Sequence, residues 1–380
     1  MLKNKIYSYL TKDVLKNFFT ILLTFTLIAW TVRAVNFLDL MIEDGFSLNI
    51  YIKYSLLNIS TIASRFIPLS FLLALIISIL KFEKQQEFLI LWVSGLNKIR
   101  IANIFFLIGF LVAVFQATLT IIINPLLLNK SRALLRETES KQINSMLKSN
   151  DFSDSFKSVT FYIEEKNEKN ELINIFIQDS GGSLKTMLSE IGNSNNSTIV
   201  ARKGIIKNRK LILFEGMIQT VNNKKEIKNI NFERTELNVD NFVSRTITLT
   251  KIQETSSLDI INCVLNRKIE YLNDCAYKKD NIQVPLENIS KRFASPLYVP
   301  LVSIIISFLL IYKKEKKFSF LTKYFLFVFV FIILILGEIL GKYAGFSIAN
   351  ALTYLFAPVV LSIIFYLSLI KSLYFEKNLK

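Results

Sequence analysis

Apolar residues run in six long stretches, near 14–35, 55–80, 101–123, 295–312, 324–341 and 350–370, three on either side of a polar segment over 124–294. A helix needs about 20 residues to cross a hydrocarbon core about 30 Å thick, and each stretch comes close to that. The pattern predicts a membrane bundle of six transmembrane helices split 3+3 around an inserted domain. Val14–Val35 reads as a retained first span, because its apolar run is too long for a signal peptide and lacks a small-residue cleavage site.

Within 124–294 the period changes. Asn124-Pro125 reads as a breaker pair ending span three, and Leu126–Lys148 as a charged helix. Val159–Glu165, Leu172–Asp179, Thr198–Ile206, Leu211–Val221, Ile227–Phe232 and Thr235–Val239 then predict short strands. Turn clusters lie between them at Asn167–Asn170, Ser180–Gly182, Asn193–Asn196, Asn208-Arg209 and Asn222–Lys225. Strands at this spacing predict an all-β sandwich, jelly roll or open barrel. Ser257–Ser290 is more helical, and Pro296 and Pro300 mark entry to span four. The predicted boundaries are 1–123, 124–294 and 295–380.

Two local features stand out in the helical parts. The helix starting near Leu48 contains Pro68, which removes a backbone donor and predicts a kink. Between spans two and three, Phe88, Leu91, Trp92 and Leu96 recur at helical spacing behind the polar Glu83, Lys84, Gln86 and Glu87. This predicts a short amphipathic helix over about 82–97, closed by Ser94-Gly95, lying along the membrane surface or serving as a plain connector.

Charge orients the chain. The net charge of +16 suggests nucleic acid until its placement is examined. The termini and the short segments on their side carry sixteen Lys and Arg against Asp13, Glu83, Glu87, Glu315 and Glu376. The opposite short segments balance Arg33, Lys53, Arg65 and Lys342 against Asp39, Glu43, Asp44 and Glu338. This asymmetry predicts cytoplasmic termini and an inserted domain on the far side of the membrane, with no nucleic-acid partner. Glu338 and Lys342 stand at i,i+4 spacing near the outer face. Cys263 and Cys275 both fall in the outer module, open to a disulfide or to two separate thiols.

Chemistry is mostly excluded. The chain has no histidine, which removes His-based triads and zinc sites, and no phosphate-binding G-x-x-x-x-G-K-[ST] loop. No catalytic residues, metal or cofactor are predicted. Acids are missing from mid-membrane, against an ion-driven transporter. Energy for any transport would therefore come from a partner at Lys81–Arg100.

Several segments together resemble the LptF/LptG family of lipopolysaccharide-export permeases. They are Ile67-Pro68-Leu69-Ser70 with Leu72–Leu75, Glu87–Leu96, Asn124-Pro125, Val159–Glu164, Phe214-Glu215-Gly216 and Lys291–Leu297. The resemblance implies an inner-membrane subunit with a periplasmic β-jellyroll. It also implies a heterodimer with a paired permease of the same family, on a dimeric cytoplasmic ATPase. Lipopolysaccharide would leave the inner membrane and pass to a periplasmic bridge protein. By position, Glu87, Phe88, Leu91, Trp92 and Gly95 match the family's ATPase-coupling helix, and Arg33 falls near the lipid phosphates. From their place at the outer rim alone, Arg33 and Lys342 read as lipid head-group contacts or as snorkelling anchors. Phe214-Glu215-Gly216 and Arg33 favour the F-type over the G-type. The alternative is a permease-like subunit of another ATP-driven system, for lipoprotein release or transmembrane signalling.

Overall fold

Among the described residues, six helical segments are long and apolar enough to cross a membrane: Lys5–Ile42, Leu48–Lys84, Lys98–Arg136, Gln283–Leu310, Lys323–Tyr343 and Ile348–Tyr374. The computed structural model describes residues 2–42, 46–146, 149–156, 159–167, 171–180, 196–207, 210–221, 227–238, 251–266, 282–311 and 316–378. The predicted turns at Glu168–Asn170, Gly181-Gly182, Asn193–Asn195, Asn208-Arg209 and Asn222–Lys225, the predicted strand end Val239, and Cys275, lie outside these residues. By internal contacts the chain forms two units. One is Met1–Val32, Leu57–Asn129 and Thr250–Lys380; the other is Arg33–Leu56 with Lys130–Leu249.

The first unit is built from helices. In chain order they are α1 (Leu2–Asn36), α2 (Asp39–Ile42), α3 (Leu48–Leu57), α4 (Ile59–Lys84), α5 (Glu87–Val93), α6 (Lys98–Thr118), α7 (Asn124–Met146), α8 (Ser257–Asn266), α9 (Gln283–Ala294), α10 (Tyr298–Ile306), α11 (Lys316–Tyr343) and α12 (Ile348–Asn378); α2, α3 and most of α7 fall in the second unit. The fourth span is the most enclosed, with 72% of its apolar window buried against 17% for spans one, five and six. Those three therefore present most of their apolar surface outward, as lipid-facing helices do. The inward stripe of α1 is Leu10, Val14, Phe18 and Leu22, spaced by four.

Helix crossings use small residues. A Cβ added to Gly109 of α6 would lie 2.9 Å from Ser303 Oγ of α10, and one on Gly337 of α11 would lie 2.8 Å from the Tyr298 ring. With lipid outside, close backbone approach supplies packing energy that the hydrophobic effect cannot. Cys263, on α8, is buried and disulfide-bonded.

Three prolines lie in the polar seam among spans two, three and four. Each proline lacks an N–H, so the carbonyl four residues before it loses its helical partner. Pro68 frees Ser64 O, which receives Gln116 Nε2 at 3.3 Å. Pro125 frees Ile121 O, which receives the Ser257 hydroxyl at 2.8 Å. Pro296 frees Arg292 O, which lies 3.0 Å from the Thr120 hydroxyl. The same region holds Ser60 to Asn124 Oδ1 (2.7 Å), Asn124 Nδ2 to Ser64 Oγ (2.9 Å) and Gln116 Nε2 to Ser295 Oγ (2.8 Å). These bonds let α4 run unbroken past Pro68.

They also explain why Asn124-Pro125 does not end the helix. The backbone passes from α6 through a π-helical turn, Leu119–Ile123, directly into α7. A π turn inserts one residue into the helical ladder, and Pro125 falls where the ladder is already altered.

The second unit centres on a six-stranded antiparallel sheet: β1 (Asp151–Phe156), β2 (Val159–Lys166), β3 (Glu171–Asp179), β4 (Asn196–Lys207), β5 (Lys210–Val221) and β6 (Ile227–Asn238). Its strands pair in chain order, so the inserted all-β domain is an up-and-down sheet among the described residues. The two strands predicted over 227–239 are one continuous strand. β1 has no period-two signal, since Asp-Phe-Ser-Asp-Ser-Phe contains no β-branched residue.

One transverse row, Glu164, Asn174, Arg202, Glu215 and Glu233, crosses five strands between the pairs Ile163↔Ile175 and Glu165↔Ile173 on one side and Gly216↔Phe232 and Phe214↔Arg234 on the other. Asn174 and Glu215 each adopt φ of 51° there. Buried positions normally step by two along a strand. Across this row they step by three, from Leu172 to Ile175 and from Ala201 to Gly204. The pairing register is the same on both sides of the row, so the strands make this three-residue step side by side and keep a single apolar face, with Asn174 and Glu215 in the left-handed region. That face carries Phe161, Ile163, Ile175, Ile177, Ile199, Leu211, Leu213 and Ile218, with Phe46 and Leu135 in the same cluster.

Candidate functional site

The segment joining spans two and three carries the strongest arrangement. α4 extends to Lys84, so the amphipathic helix predicted over about 82–97 is shorter, Glu87–Val93. Gln86 at φ 58° turns the chain into α5. Gly95 at φ +77° turns it out. Gly95 N–H bonds to Trp92 O and Leu96 N–H to Leu91 O, both at 3.1 Å. These are the two bonds of a Schellman cap, and the buried Leu91 and Leu96 give its apolar contact. The small-residue-glycine turn read from sequence is therefore a left-handed position that only glycine enters without strain.

α5 has two faces. Phe88 and Leu91 are 8% and 9% exposed, and Leu89, Ile90 and Val93 are 57%, 63% and 82% exposed. Phe88 lies edge-on to Phe82 at 5.7 Å and stacks on Trp92 at 5.7 Å, with Lys98 over the Trp92 ring. Phe88, Leu91 and Trp92 thus fasten α5 to its own subunit. The free apolar surface belongs to Leu89, Ile90 and Val93, which the helical-spacing argument passes over because it selects the inward stripe. Their signal in the sequence is continuity: Phe88–Val93 is apolar all round, more than one buried face requires.

Glu87 sits at the rim between the faces. Tyr9 of α1 donates to Glu87 Oε1 at 3.1 Å. One turn along, Lys81 of α4 pairs with Asp13 of α1, and Asn17 donates to Ser78 at 2.8 Å. Lys323 of α11 lies 2.6 Å from Glu83. α1, α4, α5 and the start of span five are thereby tied at the end of the bundle that carries α5.

The other expected residues lie elsewhere. Pro68 is in the seam described above. Arg33 is exposed near the end of α1, and Lys342 is exposed in the last turn of α11. Glu338 is exposed too, and among the described residues' ion pairs none joins it to Lys342. Among the described residues no group of three metal-ligating side chains occurs.

A family model for the lipopolysaccharide export system permeases LptF and LptG matches residues 8–371. The chain belongs to the LptF/LptG family. The match runs from α1 into α12, through all six candidate spans and the sheet. This LptF/LptG permease is thus a membrane transport subunit for lipopolysaccharide export. No curated protein matches the chain.

Proposed function

We propose that this LptF/LptG permease is the F-type half of an ATP-driven extractor that lifts lipopolysaccharide from the inner membrane and passes it to a periplasmic bridge protein. One observation carries the reading. α5 is locked to its own subunit by Phe88, Leu91 and Trp92, yet exposes Leu89, Ile90 and Val93 beside Glu87. A rigidly held helix with an apolar outward face and one acid is suited to take a stroke from another protein.

The charge asymmetry supports a cytoplasmic α5 and termini, with the sheet in the periplasm. A dimeric cytoplasmic ATPase then supplies the energy that the chain lacks. The outward surfaces of spans one, five and six offer area for the paired permease, and the apolar face of the sheet suits acyl chains. Arg33 and Lys342 supply cations for lipid phosphates near the outer rim. Phe214-Glu215-Gly216 and Arg33 favour the F-type. The domain division 1–123, 124–294 and 295–380 follows this plan.

The deciding experiment is Glu87→Lys in cells that depend on this chain. Export should stop and lipopolysaccharide should accumulate in the inner membrane, with the variant inserted at its normal level. Normal outer-membrane lipopolysaccharide would sink the coupling role. Purification without any ATPase would favour a receptor or scaffold over a transporter subunit.

A further inference from the structure

Arg292 is buried in α9, and its guanidinium uses every N–H it has. Nε donates to Asn288 Oδ1 at 2.9 Å. One terminal nitrogen donates to Thr255 O at 3.0 Å and Ser257 Oγ at 2.8 Å, the other to Ile252 O at 3.1 Å and Gln253 O at 3.2 Å. Among the described residues no carboxylate stands within ion-pair distance of it. A buried charge held by neutral oxygens alone costs desolvation energy that packing does not return, so hydrophobic packing is a poor explanation for it. What the five-donor fork supplies is geometry: it fixes three carbonyls and a hydroxyl of one short segment at once, a 3-10 turn and the start of α8.

That segment is Ile252–Ser257, the piece by which the chain re-enters the helical unit after the sheet. Its last residue continues the connection. The Ser257 hydroxyl accepts from Arg292 and donates to Ile121 O in the π turn, where the chain leaves span three for α7. The backbone closes the loop from the other side, since Thr120 of the π turn lies 3.0 Å from Arg292 O. Both carbonyls are ones that a proline has freed, Pro125 for Ile121 and Pro296 for Arg292. The outgoing and returning segments are thus pinned at one point to the head of span four, the most enclosed span.

We propose that Arg292 is a positioning residue for lipopolysaccharide export, which makes the outgoing segment at Thr120–Ile121 and the returning segment at Ile252–Ser257 move together with span four. A displacement of the bundle then reaches both connections of the inserted domain in step. The inference rests on the transport reading but not on α5, and it concerns no lipid contact.

The test uses the full-length permease in its native complex, with two variants and two readouts. Ser257→Ala is the gentle one, removing only the hydroxyl that bridges Arg292 to Ile121. Arg292→Lys keeps the charge but not the fork. Spin labels at the exposed positions Ile122 and Leu258 report whether the two segments stay in step. In the unmodified protein one narrow distance distribution is expected. In both variants it should broaden, and lipopolysaccharide reaching the outer membrane should fall about tenfold while the amount of inserted protein is unchanged. Export at the normal rate in Arg292→Lys overturns the proposal. So does an unbroadened distribution in Ser257→Ala, or a loss of export no larger than the loss of folded protein. If Glu87→Lys exports normally while Ser257→Ala fails, the coupling role of α5 falls and this one stands.

Discussion

The side-chain amide of Gln116 reaches across from α6 to α4 and donates to Ser64 O, the acceptor that Pro68 leaves without a helical partner. The bond predicts a compensating pair of substitutions. Gln116→Leu bares a buried carbonyl and should lower stability by about 1–3 kcal/mol. Adding Pro68→Ala restores the missing N–H to α4, so the double variant should melt closer to the unmodified protein than Gln116→Leu alone. Thermal unfolding in detergent distinguishes the cases. No recovery in the double variant would mean that Gln116 serves Ser295 rather than Ser64.

The α6–α10 crossing makes a second prediction. A Cβ on Gly109 would stand 2.9 Å from Ser303 Oγ and 3.0 Å from Ser303 Cβ. Gly109→Ala should therefore destabilise by about 1–3 kcal/mol as an overpacked contact. Ser303→Gly in the same chain should return most of that loss, whereas Ser303→Ala, which keeps the Cβ, should return little. Equal behaviour of the two rescues would place the clash elsewhere.

On α5 the two faces should separate cleanly. Phe88→Ala empties a buried site and should cost about 3–5 kcal/mol of stability. Val93→Glu changes an exposed residue and should shift stability by no more than about 0.5 kcal/mol. Co-purification of an ATPase should nevertheless be lost with Val93→Glu. A bound ATPase in Val93→Glu would move the contact to another part of the surface.

Much of this was legible in the sequence, and the exceptions have physical causes. Length and apolarity sufficed for the spans, because lipid forces every backbone group into a helix. Helical spacing located α5, but it marked Phe88 and Leu91, the inward stripe, since periodicity reports burial in the chain's own core. Asn124-Pro125 looked like a stop because a local rule cannot see Ser257, 132 residues beyond Pro125, arriving at the freed carbonyl. The period-two signal found five strands and split β6. It missed β1, whose pairing with β2 is supplied by backbone bonds rather than side-chain propensity. Arg292 carries no signal in the sequence beyond its place in the Lys291–Leu297 segment, because nothing local distinguishes a buried arginine from a solvated one.

The transverse row of the sheet yields the last prediction, through a reversal of sign. Glu215 holds φ at 51°, where a Cβ is strained, and its ion pair with Arg202 is exposed and long at 3.4 Å. Such a pair contributes little. Replacing Glu215 with Ala or Gly removes the carboxylate equally, so the difference between the two variants isolates the backbone. Gly should be the more stable by about 1 kcal/mol, because it enters the left-handed region freely. Glu233 lies in the same row without a positive φ, and there ordinary strand behaviour should return, with Gly less stable than Ala by about 0.5–1 kcal/mol. Opposite signs at the two positions, read from paired thermal melts, would mark Glu215 as a left-handed position on which the continuous apolar face depends. The same sign at both would mean that the row is not built on left-handed residues.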